Sequence, residues 1–315
     1  MTPYTLNLIG SFTPWRTYSS TEFFGAELRK RFEKLPHVTL KTQCFNDIDF
    51  EEADFALIHA YFATNVYAHI NTLKRKVWKI ANFMEEPHPD VDYNWYYSDV
   101  MHNQYPIQGQ LVHPPVVRSL LVNEEKEPNT ILLDHDIADF WYYRHPNLDW
   151  NERIWEWVKP FKDTHKIYQI QRHEKDATPD FITRLPHCQP AEYLDLTKRM
   201  ETFILTHHGS YNHTAVEMIA RGIRTFVPHA LDSFIPTINM RIFGLSSFKD
   251  GEELANLIRE PVVPEFWNRQ IDKCGDMDAV VALMDHQFQT WKGMKTAVKS
   301  GWESPLNLRW LFKGK

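Results

Sequence analysis

Short apolar runs alternate with helical spacings along most of the chain. Residues 4–9 form an apolar-rich run that stops at Gly10 and Ser11, and a loop containing Pro14 then leads to Ser19-Ser20-Thr21-Glu22. Beyond it Phe23, Phe24, Leu28 and Phe32 recur at helical spacing, so this stretch predicts a strand, a loop and a helix capped by Ser20 or Thr21. Val38-Thr39-Leu40 predicts a second strand and residues 54–61 a third. A helical stretch that includes Val66, Ile70 and Leu73 separates these from a fourth strand, residues 77–84, which ends on Glu85-Glu86-Pro87. Strands alternating with helices at this spacing predict a mostly parallel sheet covered on both faces.

Residues 122–130, VNEEKEPNT, are polar and contain proline, which marks a linker and a boundary near residue 124. The pattern then restarts, with strands expected at 131–133, 166–170, 202–206 and 224–227, the last closed by Pro228. Helices are expected at 149–158, 192–200 and about 214–221. From Glu252 onward the chain is helix-rich and carries Trp267, Trp291, Trp302 and Trp310. Paired α/β units of this kind bind ligands in the cleft between them, because strand carboxyl ends and helix N-termini converge there.

Composition narrows the class. The 315 residues are long enough for one oversized domain or two ordinary ones, and 43% hydrophobic residues with 14% aromatics put the chain far from disordered compositions. A net charge of −6 disfavours wholesale binding to phosphate backbones, though not a local basic face. Cys44, Cys188 and Cys274 are an odd number, widely spaced and without a CxxC pair, which excludes a disulfide framework and a thiolate zinc site. Residues 1–10 lack the features of a secretory signal, and no apolar run approaches the ~20 residues that span a bilayer. A cytoplasmic protein with no membrane span is the expectation.

Residues 206–228, THHGSYNHTAVEMIARGIRTFVP, carry the most chemistry. A strand delivers the chain to His207-His208-Gly209-Ser210, and the following turn must point backbone N–H groups outward at a helix N-terminus, which makes an anion site. Glu217 falls one turn into that helix, with Val216 and Ile219 as apolar neighbours and Gly222 as the expected stop. A carboxylate three residues after Thr214 can accept two hydrogen bonds from a vicinal diol while the helix start holds a diphosphate, and that geometry suits a nucleotide sugar.

The segment resembles the donor-binding motif of GT-B glycosyltransferases, in which a strand, a His/Gly/Ser loop, a helix bearing a Glu, a Gly and a strand ending in Pro follow in that order. The resemblance implies an α/β protein with two Rossmann-like domains facing across a cleft. It divides the chain into an acceptor-side domain (1–124), a donor-binding domain (125–285) and C-terminal helices (286–315) that pack back on the first domain. It gives Glu217 the ribose hydroxyls and His207, His208, Gly209, Ser210 and Thr214 the phosphates. The Asn-Ser/Thr step common in such enzymes appears here as Asn212-His213-Thr214, one residue longer. A narrower likeness rests on Ser19-Ser20-Thr21-Glu22, Phe83-Met84-Glu85 and Tyr211-Asn212 ahead of Val216-Glu217-Met218. In order and context these are similar to the phage DNA β-glucosyltransferases that modify hydroxymethylcytosine, where an acidic residue at the end of the matching strand is the base. That likeness nominates Glu85, with Glu86 second, an acceptor in DNA, and a host-cytoplasm location for a phage-encoded chain.

Sugar transfer needs a base for the acceptor hydroxyl and stabilisation of the departing diphosphate. The resemblance implies backbone amides and basic side chains for the second task rather than a metal or a tightly bound cofactor. Arg144 and His145 are donor-side candidates, Gly10 joins them from the first loop, and Arg16 is an acceptor-side candidate; surface Arg is the plain alternative for each. The co-substrate is a nucleotide sugar, with a UDP-sugar the first expectation. Sixteen histidines raise a zinc reading, but no HExxH occurs, and His208 and His213 are five apart where one helix face wants four. Trp95 is a candidate for acceptor stacking, with core packing as the competing reading. Arg29-Lys30-Arg31 and Lys74-Arg75-Lys76 are a solvated face or a DNA-tracking one. The functional alternatives to a glycosyltransferase are a sugar-nucleotide epimerase or hydrolase of the same fold, and a non-catalytic sugar-nucleotide-binding module.

Overall fold

The structure is a computed structural model that describes residues 1–10, 20–59, 64–84, 87–96, 108–112, 115–116, 125–134, 150–170, 178–186, 190–205, 213–228, 246–261 and 275–299. The first apolar runs become a parallel sheet of six strands: β1 (Tyr4–Gly10), β2 (Val38–Cys44), β3 (Phe55–His59), β4 (Lys79–Met84), β5 (Tyr93–Tyr96) and β6 (Gly109–Leu111). Their order is β2-β1-β3-β4-β5-β6. Every residue of β3 is buried, as a strand covered on both faces requires. Leu6, Leu8, Phe55, Leu57 and Phe83 meet Phe24, Leu28 and Phe32 of α1 (Ser20–Phe32) on one face. On the other, Ala56, Ile58 and Ile80 meet Val66 of α2 (Thr64–Ala68) and Ile70 and Leu73 of α3 (Ile70–Lys76). The single helical stretch expected here is broken at His69, whose φ of −109° and ψ of 19° leave the helical range.

A short strand, β7 (Pro115–Val116), precedes the second sheet, which contains β8 (Thr130–Leu133), β9 (Lys166–Ile170), β10 (Ile182–Leu185), β11 (Thr202–Ile204), β12 (Arg224–Pro228) and β13 (Ser246–Phe248). All are parallel, in the order β10-β9-β8-β11-β12-β13. Its helices are α4 (Trp150–Val158), α5 (Pro190–Thr197), α6 (His213–Ala220) and α7 (Gly251–Arg259). α7 is secured at both ends. Asp250 accepts from the N–H groups of Glu252 and Glu253, and the buried Arg224 guanidinium donates to the Glu260 carbonyl at 2.8 Å.

The chain then returns to the first sheet. β14 (Gly275–Asp276) pairs with β7 and leads into α8 (Met277–Lys299). Met277, Val280, Val281, Met284, Phe288 and Trp291 join the apolar cluster that holds Tyr4, Phe55 and Trp95. Around that strip, Asp285 accepts from the Tyr4 hydroxyl at 2.7 Å and meets His37 Nε2 at 2.9 Å, and Lys292 and Lys295 each reach Asp54 at 2.7 Å. The linker expected near residue 124 and residues 300–315 lie wholly or partly outside the described residues.

Candidate functional site

In an open parallel sheet, ligands bind outside the strand carboxyl ends where the strand order reverses, because neighbouring loops diverge there and leave a crevice. In the second sheet that point lies between β8 and β11. Asp134, the first residue beyond β8, is 1% exposed; its N–H donates to Ile204 of β11 at 3.0 Å, and its carbonyl accepts from Gln169 Nε2 at 3.3 Å. Gln169 in turn accepts from the Trp155 indole at 2.8 Å. Beyond β11, Leu205 N–H donates to Phe226 of β12 at 3.0 Å. Both strand exits are therefore pinned to neighbouring elements.

The helix that follows β11 is α6. Ala215 and Met218 are fully buried against Leu132 and Phe203 beneath it, and Ile219 enters the apolar cluster of the first sheet, so α6 contacts both units. It stops as expected at Gly222, whose φ of 73° is the left-handed conformation glycine adopts without strain. Ile223 N–H donates to Met218 and Gly222 N–H to Ile219, each at 2.9 Å, and Ile223 packs in the same cluster as Met218: a Schellman stop. Glu217 is 5% exposed and partnered within the fold. One turn on, Arg221 is 1% exposed and donates to Thr197 of α5 at 2.5 Å. A buried carboxylate thus lies in the short helix that follows the switch-point strand, and a buried guanidinium lies just beyond its end.

In the first sheet the order reverses between β1 and β3. Gly10 and His59 are register partners at the carboxyl ends of these strands, and Gly10 is buried. His59 is 1% exposed, its ring stacks on Phe83 with centroids 5.3 Å apart, and its Nδ1 lies 2.5 Å from the Phe83 carbonyl. A buried polar network lies alongside. The Tyr67 hydroxyl donates to Asn82 at 2.8 Å, Asn82 donates to Asn94 at 3.2 Å, and Asn94 accepts from His88 N–H at 2.8 Å. The His88 ring stacks flat on Tyr67 at 3.8 Å. Burial pushes the Tyr67 hydroxyl above its ordinary range. Burial likewise lowers the His88 imidazole, with Lys74 adding to that effect and Asp90 opposing it.

Of the residues nominated from sequence, Gly10 and Glu217 lie at the carboxyl end of β1 and in α6, and Thr214 lies in the first turn of α6. Trp95 is a correction. It is 1% exposed, in edge contact with Phe288 and tilted against Tyr93, so its ring fills the first core and offers no face to an acceptor. Arg16, Glu85, Glu86, Arg144, His145, His207, His208, Gly209 and Ser210 lie outside the described residues. The first basic cluster is neutralised in place: Arg29 pairs with Glu33, Lys30 with Glu27, and Arg31 with Glu27 and Asp278. Among the described residues no group of His, Cys, Asp and Glu is placed to hold a metal, and no helix is long and apolar enough to cross a membrane. An open groove of about 470 Å³, lined by Ser247, Lys249, Glu253, Asn256 and Leu257, runs along β13 and α7 at the outer edge of the second sheet.

Sequence reasoning missed His59, Asn82, Asn94, Gln169 and Arg221. The available signal was a polar residue set inside an apolar strand run, as in KIANFM, YNWY and KIYQI, since such a group must be hydrogen-bonded when buried.

No protein-family model matches the chain, and neither does any curated protein. Solved structures do. Sucrose-phosphate synthase from Thermosynechococcus elongatus superposes with a TM-score of 0.63 at 10% identity, over 92% of this chain and 99% of that one. UDP-GlcNAc 2-epimerase from Neisseria meningitidis, bound to UDP-GlcNAc, gives 0.61 at 9% identity over 91% and 99%. A spinosyn rhamnosyltransferase complexed with thymidine diphosphate gives 0.56 at 10% identity over 89% and 100%. At these identities the likeness establishes the fold: two Rossmann-like domains facing across a cleft, the GT-B arrangement.

Proposed function

We propose that this protein is a nucleotide-sugar enzyme, and specifically a glycosyltransferase that moves a sugar from a nucleoside-diphosphate sugar to an acceptor hydroxyl. The observation that carries the reading is α6: a helix that begins just beyond the switch-point strand β11 and holds a carboxylate, Glu217, one turn in. Helix N-termini favour diphosphates, and a carboxylate one turn further on suits the ribose diol. The structural neighbours, one bound to UDP-GlcNAc and one to thymidine diphosphate, support the ligand class.

The acceptor oxygen attacks the anomeric carbon as a base on the first domain takes its proton, and the bond from that carbon to the diphosphate breaks. Glu85 is the nominated base, with Glu86 behind it. The departing charge falls to the α6 N-terminus with Gly209, Ser210 and Thr214, and to Gly10, Arg144, His145, His207 and His208. Arg16 belongs to the acceptor side, and the narrower reading of that acceptor is a hydroxymethylated pyrimidine in DNA. The second reading, favoured by the epimerase among the neighbours, is conversion of a UDP-sugar without an acceptor.

Incubation with UDP- and TDP-sugars, with and without acceptors that include duplex DNA carrying hydroxymethylated pyrimidines, separates these readings. The proposal expects acceptor-dependent release of nucleoside diphosphate that Glu85→Gln abolishes while donor binding persists. Acceptor-free formation of an epimeric UDP-sugar would install the second reading instead.

A further inference from the structure

We propose that α6 couples the two units: through Ile219, a nucleotide held at the start of α6 also steadies β7, β14 and the head of α8; this inference rests on the reading of α6 as the nucleotide site. The helix connects β11 to β12 and packs mainly on their sheet, where Ala215 and Met218 share a core with Leu132, Phe203 and Val227. Ile219, the next residue, is as fully buried but belongs to the other core, with Val112, Met277, Val280 and Met284. Successive helical residues point about 100° apart, so Met218 and Ile219 address two different surfaces. A second unit standing alone would leave Ile219 without the cluster that covers it.

The surface that receives Ile219 is the place where the chain crosses between units. It leaves the first sheet at Val112, whose N–H donates to the Tyr96 carbonyl at 2.8 Å, and runs through β7 toward the second. It comes back through β14, which pairs with β7 in the register Gly275 to Pro115 and Asp276 to Val116. Asp276 Oδ1 then accepts from the Asp278 N–H at 3.0 Å, and Met277, fully buried, opens α8 inside the first core. α6 lies against β7, and α8 against both β7 and β14, so the outgoing strand, the returning strand and the donor-side helix meet at one join. Close-packed interiors transmit displacement because they have little free space to absorb it. When α6 opens locally, Ile219 leaves the first core and the join loses that support. A nucleotide that needs α6 in place disfavours the opened state, and so holds the join as well, without any rotation of one unit against the other.

Amide hydrogen exchange of the full chain, with and without UDP or TDP, tests this when read at residues 213–220 and 275–284. The account expects a nucleotide to slow exchange at both places, by about fivefold or more at 275–284. In Ile219→Ala the slowing at 213–220 should persist, while that at 275–284 should shrink to about twofold or less. Ile219→Val, which removes a single methyl group, should give an intermediate loss. Should Ile219→Ala fail to fold, the unmodified protein and Ile219→Val still decide. Slowing confined to 213–220 in the unmodified protein overturns the inference, as does slowing at 275–284 that the folded Ile219 variants leave intact. If neither nucleotide slows exchange at 213–220, the reading of α6 as the nucleotide site fails and takes the inference with it.

Discussion

Two helices carry charge into packed regions of this molecule, and they do so differently. α8 lies on the first sheet with Met277, Met284 and Phe288 fully buried, and its charged groups stay at the margin of that strip, where Lys292 and Lys295 meet Asp54 and where Asp285 meets Tyr4 and His37. α6 has eight residues and places Glu217 among them, with Arg221 just beyond, both nearly excluded from solvent. Marginal pairs secure a helix whose apolar face already binds it. Ala215, Met218 and Ile219 do the same for α6, so its buried carboxylate adds desolvation cost without adding apolar contact. The contrast separates scaffold from site, and it can be broken at either helix.

The largest effect on stability belongs to the scaffold helix. Phe288 stacks on Phe55 at 5.3 Å and touches Tyr4, Phe32, Trp95 and Trp291. Phe288→Ala should cost about 3–5 kcal/mol in denaturant unfolding. Nucleotide affinity per folded molecule should be unchanged.

A smaller effect is expected at the marginal pairs, and it depends on pH. Burial alone would raise the Asp54 carboxyl, but hydrogen bonds from Lys292, Lys295 and the Thr5 N–H outweigh it and hold the group at about 2, below its ordinary 3.8. A depressed carboxyl stabilises the fold fully above its unfolded value near 4, and that contribution disappears as pH falls toward 2. Solvent screens these partly exposed pairs, so the contribution is on the order of 1 kcal/mol. Unfolding midpoints measured between pH 2 and 5 should rise with pH in the unmodified protein, and Asp54→Asn should flatten that slope.

How much of this was legible in the sequence follows from what each element buries. Residues 4–9, 54–61 and 77–84 announce strands because most of their positions are apolar, as the burial of β1, β3 and β4 within them on both faces requires. The Schellman stop at Gly222 was readable because only one residue type occupies a φ of 73° at no cost. β6, β10 and β13 escaped notice. They are the short outermost strands of their sheets, and Gly109-Gln110-Leu111, Ile182-Thr183-Arg184-Leu185 and Ser246-Ser247-Phe248 have too few apolar positions to set a period. β5 was hidden for another reason: Trp95 was open to two readings, acceptor stacking or core packing, and the structure buries Trp95 and Tyr96 in the core with Tyr93 packed partly buried against it. Glu217 was nominated for the candidate site from its place in a motif. His59 and Asn94 were not, because their partners are backbone carbonyls and amides of neighbouring segments, and no spacing along the chain records those.

The central claim is that Glu217 anchors the sugar of the nucleotide donor. Its most direct test is calorimetric titration of UDP and of a UDP-sugar into the unmodified protein and into Glu217→Ala, with unfolding midpoints measured on both. The account predicts that affinity falls at least about tenfold, or about 1.4 kcal/mol, while the midpoint scarcely moves. An unchanged affinity with a lowered midpoint would make Glu217 a packing group and contradict it.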